Sequence, residues 1–138
     1  MPAQEDAPMN FLVGYDNSKT TVHALEVAKK YAHAFKAKIF ILASTPYGPE
    51  LEATEYEDTK TALARLKSEF DAEGIACETH MVTRSLSPGE DLIDFAGRHA
   101  IDKIIIGTRK KSKIGKLLMG STAQYVILEA ECPVVVVK

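Results

Sequence analysis

Ile39-Phe40-Ile41-Leu42-Ala43 is apolar at every position, and this run restricts the fold more than any other feature of the chain. A strand with one wet face alternates apolar and polar side chains. A strand with no polar position is buried on both faces, the usual condition of a parallel sheet covered by helices on either side. Phe11-Leu12-Val13-Gly14-Tyr15, Lys103 to Ile106 and Val134 to Val137 are further short apolar runs, whereas Cys77 to Thr83 alternates imperfectly and reads as a strand nearer an edge. Between them lie stretches of helical spacing. Val22, Leu25, Ala28, Ala32 and Phe35 form one stripe, Leu63, Leu66 and Phe70 a second, Leu92, Ile93 and Ala96 a third, and Ala123, Val126, Ile127 and Ala130 a fourth. The resulting order, β-α-β-α-β-α-β-α-β, predicts an α/β fold with one five-stranded parallel sheet and helices on both faces.

Local signals mark the boundaries. Asp16-Asn17-Ser18 suits a turn followed by a helix N-cap. Ser87 and Pro88 suit an N-cap and a first helical position, and Gly74 a helix stop. From Pro46 to Asp58 the pattern breaks, with five acids among the nine residues from Glu50 to Asp58, and a solvated loop leading into a helix is expected there. A length of 138 residues with 46% apolar content fits one domain spanning residues 1–138, with residues 1–9 as a flexible lead-in. The amino terminus has neither the basic start nor the apolar run of a secretory signal, and no apolar stretch is long enough to span a bilayer, so a cytoplasmic protein without membrane contact is expected. Cys77 and Cys132 are read as reduced thiols.

The formal net charge is −2, so affinity for phosphates has to come from a local cluster. One exists. No acid occurs between Asp102 and Glu129, while Lys103, Arg109, Lys110, Lys111, Lys113 and Lys116 supply six of the seventeen Lys and Arg. The cluster follows a buried strand ending at Gly107 and runs into Gly120-Ser121-Thr122 at the start of the next helix. A helix N-terminus offers unpaired N–H groups and partial positive charge, glycine lets a phosphate approach the backbone, and Ser or Thr adds a hydroxyl. A solvated basic loop with glycines serving only turns is the competing reading; the paired glycines favour phosphate. A Walker A loop is excluded, because Lys110 stands where its first glycine belongs and Leu117 follows Gly115-Lys116.

The segment resembles the nucleotide-binding signature of the universal stress protein family, Gly-x2-Gly-x9-Gly-Ser/Thr. Gly107 matches its first glycine and Gly120-Ser121 its closing pair, while Lys110 replaces the second glycine. The similarity extends from Phe11-Leu12-Val13-Gly14-Tyr15-Asp16 through Ile104-Ile105-Ile106-Gly107-Thr108-Arg109 to Cys132-Pro133-Val134-Val135-Val136-Val137. The resemblance implies a Rossmann-like, adenine nucleotide alpha hydrolase-like sheet of order 3-2-1-4-5, with a ligand crevice where the winding reverses between the first and fourth strands. It nominates Tyr15, Asp16, Ser44 and Ile106 for the nucleoside, and Gly107, Arg109, Lys110, Gly120, Ser121 and Thr122 for the phosphates of ATP, with Mg2+ as an accompanying ion. It also implies a homodimer through Val134 to Val137 and a regulatory role with a protein partner that the sequence does not name.

Lys110 has two readings. Its side chain obstructs the close backbone approach that glycine permits, or its ammonium compensates together with Arg109 and Lys111. The first leads to a nucleotide-free dimeric scaffold, the second to an ATP-binding regulator, and the retained glycines and Ser121 favour the second. Nucleic-acid binding through the basic loop is a weaker option, since little aromatic interleaving accompanies it. No catalytic or metal residue is assigned, and any ATP hydrolysis is expected to be slow and secondary. Lys110-Lys111-Ser112-Lys113 has no His-Ile-Gly-His partner, and Tyr15-Asp16-Asn17-Ser18 stands where ATP pyrophosphatases carry Ser-Gly-Gly. Cys77 with His80 lacks further zinc ligands and reads as a core thiol beside a surface imidazole. His23, His33 and His99 have no evident catalytic partner, and the acids from Glu50 to Asp58 read as solvated surface.

Overall fold

The computed structural model describes residues 8–16, 18–46, 53–84, 87–108 and 119–138. Residues 1–7 of the expected lead-in and most of the basic loop, residues 109–118, lie outside them. The strands are β1 (Asn10–Tyr15), β2 (Lys38–Pro46), β3 (Cys77–Arg84), β4 (Lys103–Gly107) and β5 (Val134–Val137), and the helices are α1 (Lys19–Phe35), α2 (Ala53–Ala72), α3 (Pro88–Arg98) and α4 (Ser121–Glu129). All strand pairs are parallel, in the order β3-β2-β1-β4-β5.

The continuous apolar runs have the expected cause. Phe11, Val13, Ile39, Ile41 and Ile105 face a core shared with α1 and α2, while Leu12, Phe40, Leu42, Ile104 and Ile106 face a second core shared with α3 and α4. All ten are buried, so the central stretches 11–13, 39–42 and 104–106 have no polar position on either face. β3 and β5 are the edges, which explains the imperfect alternation of Cys77 to Thr83.

Two elements differ from the sequence expectation. In α1 the sheet-facing residues are Thr21, Ala24, Leu25, Ala28 and Ala32, while Val22 is 58% and Phe35 51% exposed. Small alanines let the helix approach the sheet closely, so its docked face is rotated away from the bulkier stripe. Phe35 still meets Phe11 and Tyr31 edge-on at the rim. The acidic segment read as a loop to Asp58 is already helical from Ala53. Ala and Glu are good helix formers, and Glu55 in the first turn complements the helix dipole.

The boundary residues act as read. Ser18 caps α1 by accepting the Thr21 N–H at 3.3 Å. Ser87 caps α3 in a reciprocal capping box with Glu90, with Pro88 at the start of the helix. Gly74 follows α2 at φ +75°, in the left-handed region where a side chain would be strained.

Candidate functional site

Strands β1 and β4 are neighbours, with Val13 opposite Ile105, and β2 lies on the other side of β1, with Tyr15 opposite Ala43. The connections leaving the carboxyl ends of β1 and β4 therefore diverge, through α1 on one side and toward α4 on the other, and a cleft of about 230 Å3 opens between them. Tyr15, Asp16, Ser44, Ile106, Gly107, Gly120 and Thr122 line it. Residues separated by about a hundred positions in sequence thus share one site. Ser121 stands exposed at the first position of α4, beside the cleft without lining it. Arg109 and Lys110 lie outside the described residues.

The β1 wall is held by hydrogen bonds within the protein. Asp16 Oδ1 accepts from the Ser18 N–H at 2.8 Å and from the Thr21 hydroxyl at 2.7 Å. The same hydroxyl accepts from the Asp16 N–H at 3.2 Å. Thr21 is 3% exposed, so this carboxylate is oriented from beneath by a buried group. Ser44 Oγ donates to the Asp91 carboxylate at 2.5 Å, and Asp91, in the first turn of α3, is also 3% exposed.

Gly107 has a structural reason that the motif does not reveal. A Cβ there would meet Thr20 Oγ1 at 2.5 Å, its Cβ at 2.8 Å and its backbone carbon at 2.9 Å. The absent side chain is what lets the start of α1 seat against the end of β4. Beyond it Thr108 is buried, its N–H donating to Val137 O at 2.8 Å.

The opposite wall is the start of α4, which is built differently. Its N-cap, Gly120, is extended (φ −67°, ψ 162°) and supplies no side-chain hydrogen bond. The first bond inside the helix runs from the Gln124 N–H to Gly120 O at 3.0 Å. The amides of Ser121, Thr122 and Ala123 precede any intrahelical acceptor, and Gly120, Thr122 and Ala123 border the cleft. A helix start with its donors facing a hollow favours an anion.

The Usp family model, described as the universal stress protein family, matches residues 9–138. The chain belongs to the universal stress protein family. A universal stress protein of Methanocaldococcus jannaschii is 30% identical over 124 residues, covering 84% of this chain and 71% of the relative. A universal stress protein structure from Archaeoglobus fulgidus superposes with a TM-score of 0.84 at 32% identity, covering 96% of this chain and all of that one. Another from the same organism, solved in complex with dAMP, gives a TM-score of 0.75 at 27% identity, covering 94% of this chain and 98% of that one.

This universal stress protein also has lining residues that the sequence reading missed. Gly14, Thr21, Leu42, Pro88, Leu92 and Ala123 border the cleft. Leu42 had a signal, since it lies two positions before Ser44 and so on the same strand face. Thr21 had none, because a threonine in the first turn of a helix is unremarkable. A second hollow, between α1 and α2, shares Tyr15, Asp16 and Thr21.

Away from the cleft, burial pushes the Cys77 thiol up to about 11, and the Cys132 thiol is also raised by burial. His80 is not the surface imidazole expected from sequence. It is half-buried in a ring cluster with Phe40, Phe95 and His99, and its Nε2 lies 3.0 Å from Glu78 Oε1. The Lys38 ammonium, hydrogen-bonded to Glu78, and His80 hold the Glu78 carboxyl below its usual range. Among the described residues no cluster of three or more His, Cys, Asp or Glu is arranged for a metal ion, and no helix is long and apolar enough to cross a membrane.

Proposed function

We propose that this universal stress protein binds an adenine nucleotide, ATP in its working state, in the cleft between the ends of β1 and β4, and that the bound nucleotide serves regulation of a stress response. The observation that carries this reading is the uncapped start of α4 facing the cleft opposite the oriented Asp16. The phosphates would take the amides of Ser121, Thr122 and Ala123 and the Thr122 hydroxyl, while Tyr15, Asp16, Ser44 and Ile106 would hold the nucleoside. The Archaeoglobus relative solved with dAMP supports an adenine nucleotide as the ligand class. The preference for ATP rests on sequence: Arg109, Lys110 and the lysines after them supply charge suited to a longer phosphate chain. With no metal-holding cluster among the described residues, Mg2+ would come with the phosphates.

Calorimetry with ATP, ADP and AMP tests the reading. Saturable binding that Gly120→Val and Asp16→Ala weaken is expected, and absence of heat with all three at millimolar concentration overturns it. A nucleotide-free scaffold is the second reading, favoured by Lys110 at the position of the motif's second glycine. A large gain in ATP affinity in Lys110→Gly would support that reading, and unchanged or lower affinity would support compensation.

Both readings include a homodimer through Val134–Val137. That strand is at the sheet edge and only half-buried, and Ile127 and Leu128 of the neighbouring α4 are 41% and 78% exposed. An unpaired apolar edge favours association. Sedimentation of a species twice the chain mass is expected, and a monomer at all concentrations contradicts it.

A further inference from the structure

We infer that Asp91 is a positioning residue that fixes the Ser44 hydroxyl as a hydrogen-bond acceptor toward the cleft, making the Ser44–Asp91 pair a determinant for a 6-amino purine over a 6-oxo purine. This rests on the nucleotide-binding reading of the same cleft. A serine hydroxyl has one proton and two lone pairs, and in solution it turns to suit whichever neighbour it meets. Here the proton is committed: Ser44 Oγ donates to Asp91 at 2.5 Å. Asp91 is 3% exposed and sits in the first turn of α3. Its own N–H donates to Ser87 O, the carbonyl of the N-cap residue, so its backbone is fixed by the helix start. A charged acceptor of this kind outcompetes a neutral ligand atom for the hydroxyl proton.

What Ser44 presents to the cleft is therefore its lone pairs. Leu42, Leu92 and Ile106 line the same cleft, and these side chains offer a ligand atom no hydrogen bond in place of the one with Ser44. An exocyclic amino group donates to Ser44. A ring carbonyl in the same place would set two acceptors against each other, each cut off from water, a mismatch that costs about tenfold or more in affinity. Asp91 need not touch the ligand, because its effect passes through the one hydroxyl.

The test is the ratio of AMP to inosine monophosphate affinity, measured by calorimetry for the full chain, for Ser44→Ala and for Asp91→Asn, with folding checked by circular dichroism. The two nucleotides differ at purine position 6, amino against oxo, and at the adjacent N1, which accepts in AMP and carries a proton in inosine monophosphate. Wild type is expected to favour AMP by about tenfold or more. Ser44→Ala removes the acceptor and should bring the ratio toward one. Asp91→Asn replaces a group that only accepts with one that also donates, and should lower the ratio while leaving AMP binding measurable. If wild type binds the two equally, or both variants retain the full ratio, the inference fails although nucleotide binding stands. If the Ser44 dependence disappears with 2′- or 3′-deoxy AMP, the acceptor serves the ribose and the base assignment is overturned. If neither nucleotide binds wild type, the nucleotide reading falls and this inference with it.

Discussion

The two walls of the cleft are built on opposite plans. On the β1 side the polar groups bond to one another: Asp16 to Ser18 and Thr21, and Ser44 to Asp91. On the α4 side the helix begins at a glycine that caps nothing. The α1 and α3 helices show that the chain caps helix starts with serine elsewhere, at Ser18 and Ser87. A locked wall holds side chains in place before a ligand arrives, which reduces the ordering cost of binding. Among the described residues, no side chain caps this helix start, which leaves its first amides to a guest. On the proposed reading, the first wall would serve recognition and the second anion capture.

The largest effect is expected where the locked wall is packed most tightly. Gly107→Val places its side chain against Thr20, including backbone that cannot step aside. A loss of about 2–3 kcal/mol is expected, read as a drop of roughly 10 °C in thermal melting. An unchanged melting temperature would mean that α1 is not held by this contact.

Gly120→Asp separates stability from binding. The new carboxylate caps α4 and should raise stability by a few tenths of a kcal/mol. It also occupies the amides and repels phosphate, so nucleotide affinity should fall about tenfold or more. Parallel changes in melting temperature and affinity would contradict a division of labour between the walls.

Thr21→Val keeps the shape of the side chain but removes the hydroxyl that both donates to and accepts from Asp16. A destabilisation of about 1–2 kcal/mol is expected, together with a several-fold loss of nucleotide affinity. A loss in stability alone would reduce Thr21 to a structural role.

Much of this architecture is legible in the sequence, for reasons that can be named. Strands buried on both faces have no alternative to continuous apolar residues, so Ile39–Ala43 and Ile104–Ile106 announced the parallel sheet. Caps carry chemistry at fixed offsets, so Ser18, Ser87 and Gly74 were readable. The docked face of α1 was not, because Ala24 and Ala28 carry little periodic signal although they decide how closely the helix seats. Within the cleft, Asp16 and Gly120 follow from motif and turn chemistry. Gly107 was found for a reason that the structure supplements, since its missing Cβ is required by Thr20. Asp91 was illegible: it reads as an ordinary acid in a first helical turn, and only the fold brings it to Ser44, 47 positions away.

The smallest effect concerns a group outside both walls. Burial raises the Cys77 thiol from 9.0 to about 11. The folded state thus favours the protonated thiol, and that contribution to stability is complete below pH 9 and lost as pH rises toward about 11. Cys77→Ala should flatten the alkaline decline in melting temperature while leaving nucleotide affinity at pH 7 unchanged. A change in affinity would extend the site to a residue of the α1–α2 core.

The central claim is that the open wall receives phosphate, and titration of AMP and ATP into wild type and Gly120→Asp by calorimetry tests it most directly. Saturable binding of both nucleotides to wild type, weakened about tenfold or more in a variant that melts no lower, is the predicted result. Equal affinity in the two proteins, or no binding to wild type at millimolar nucleotide, would contradict it.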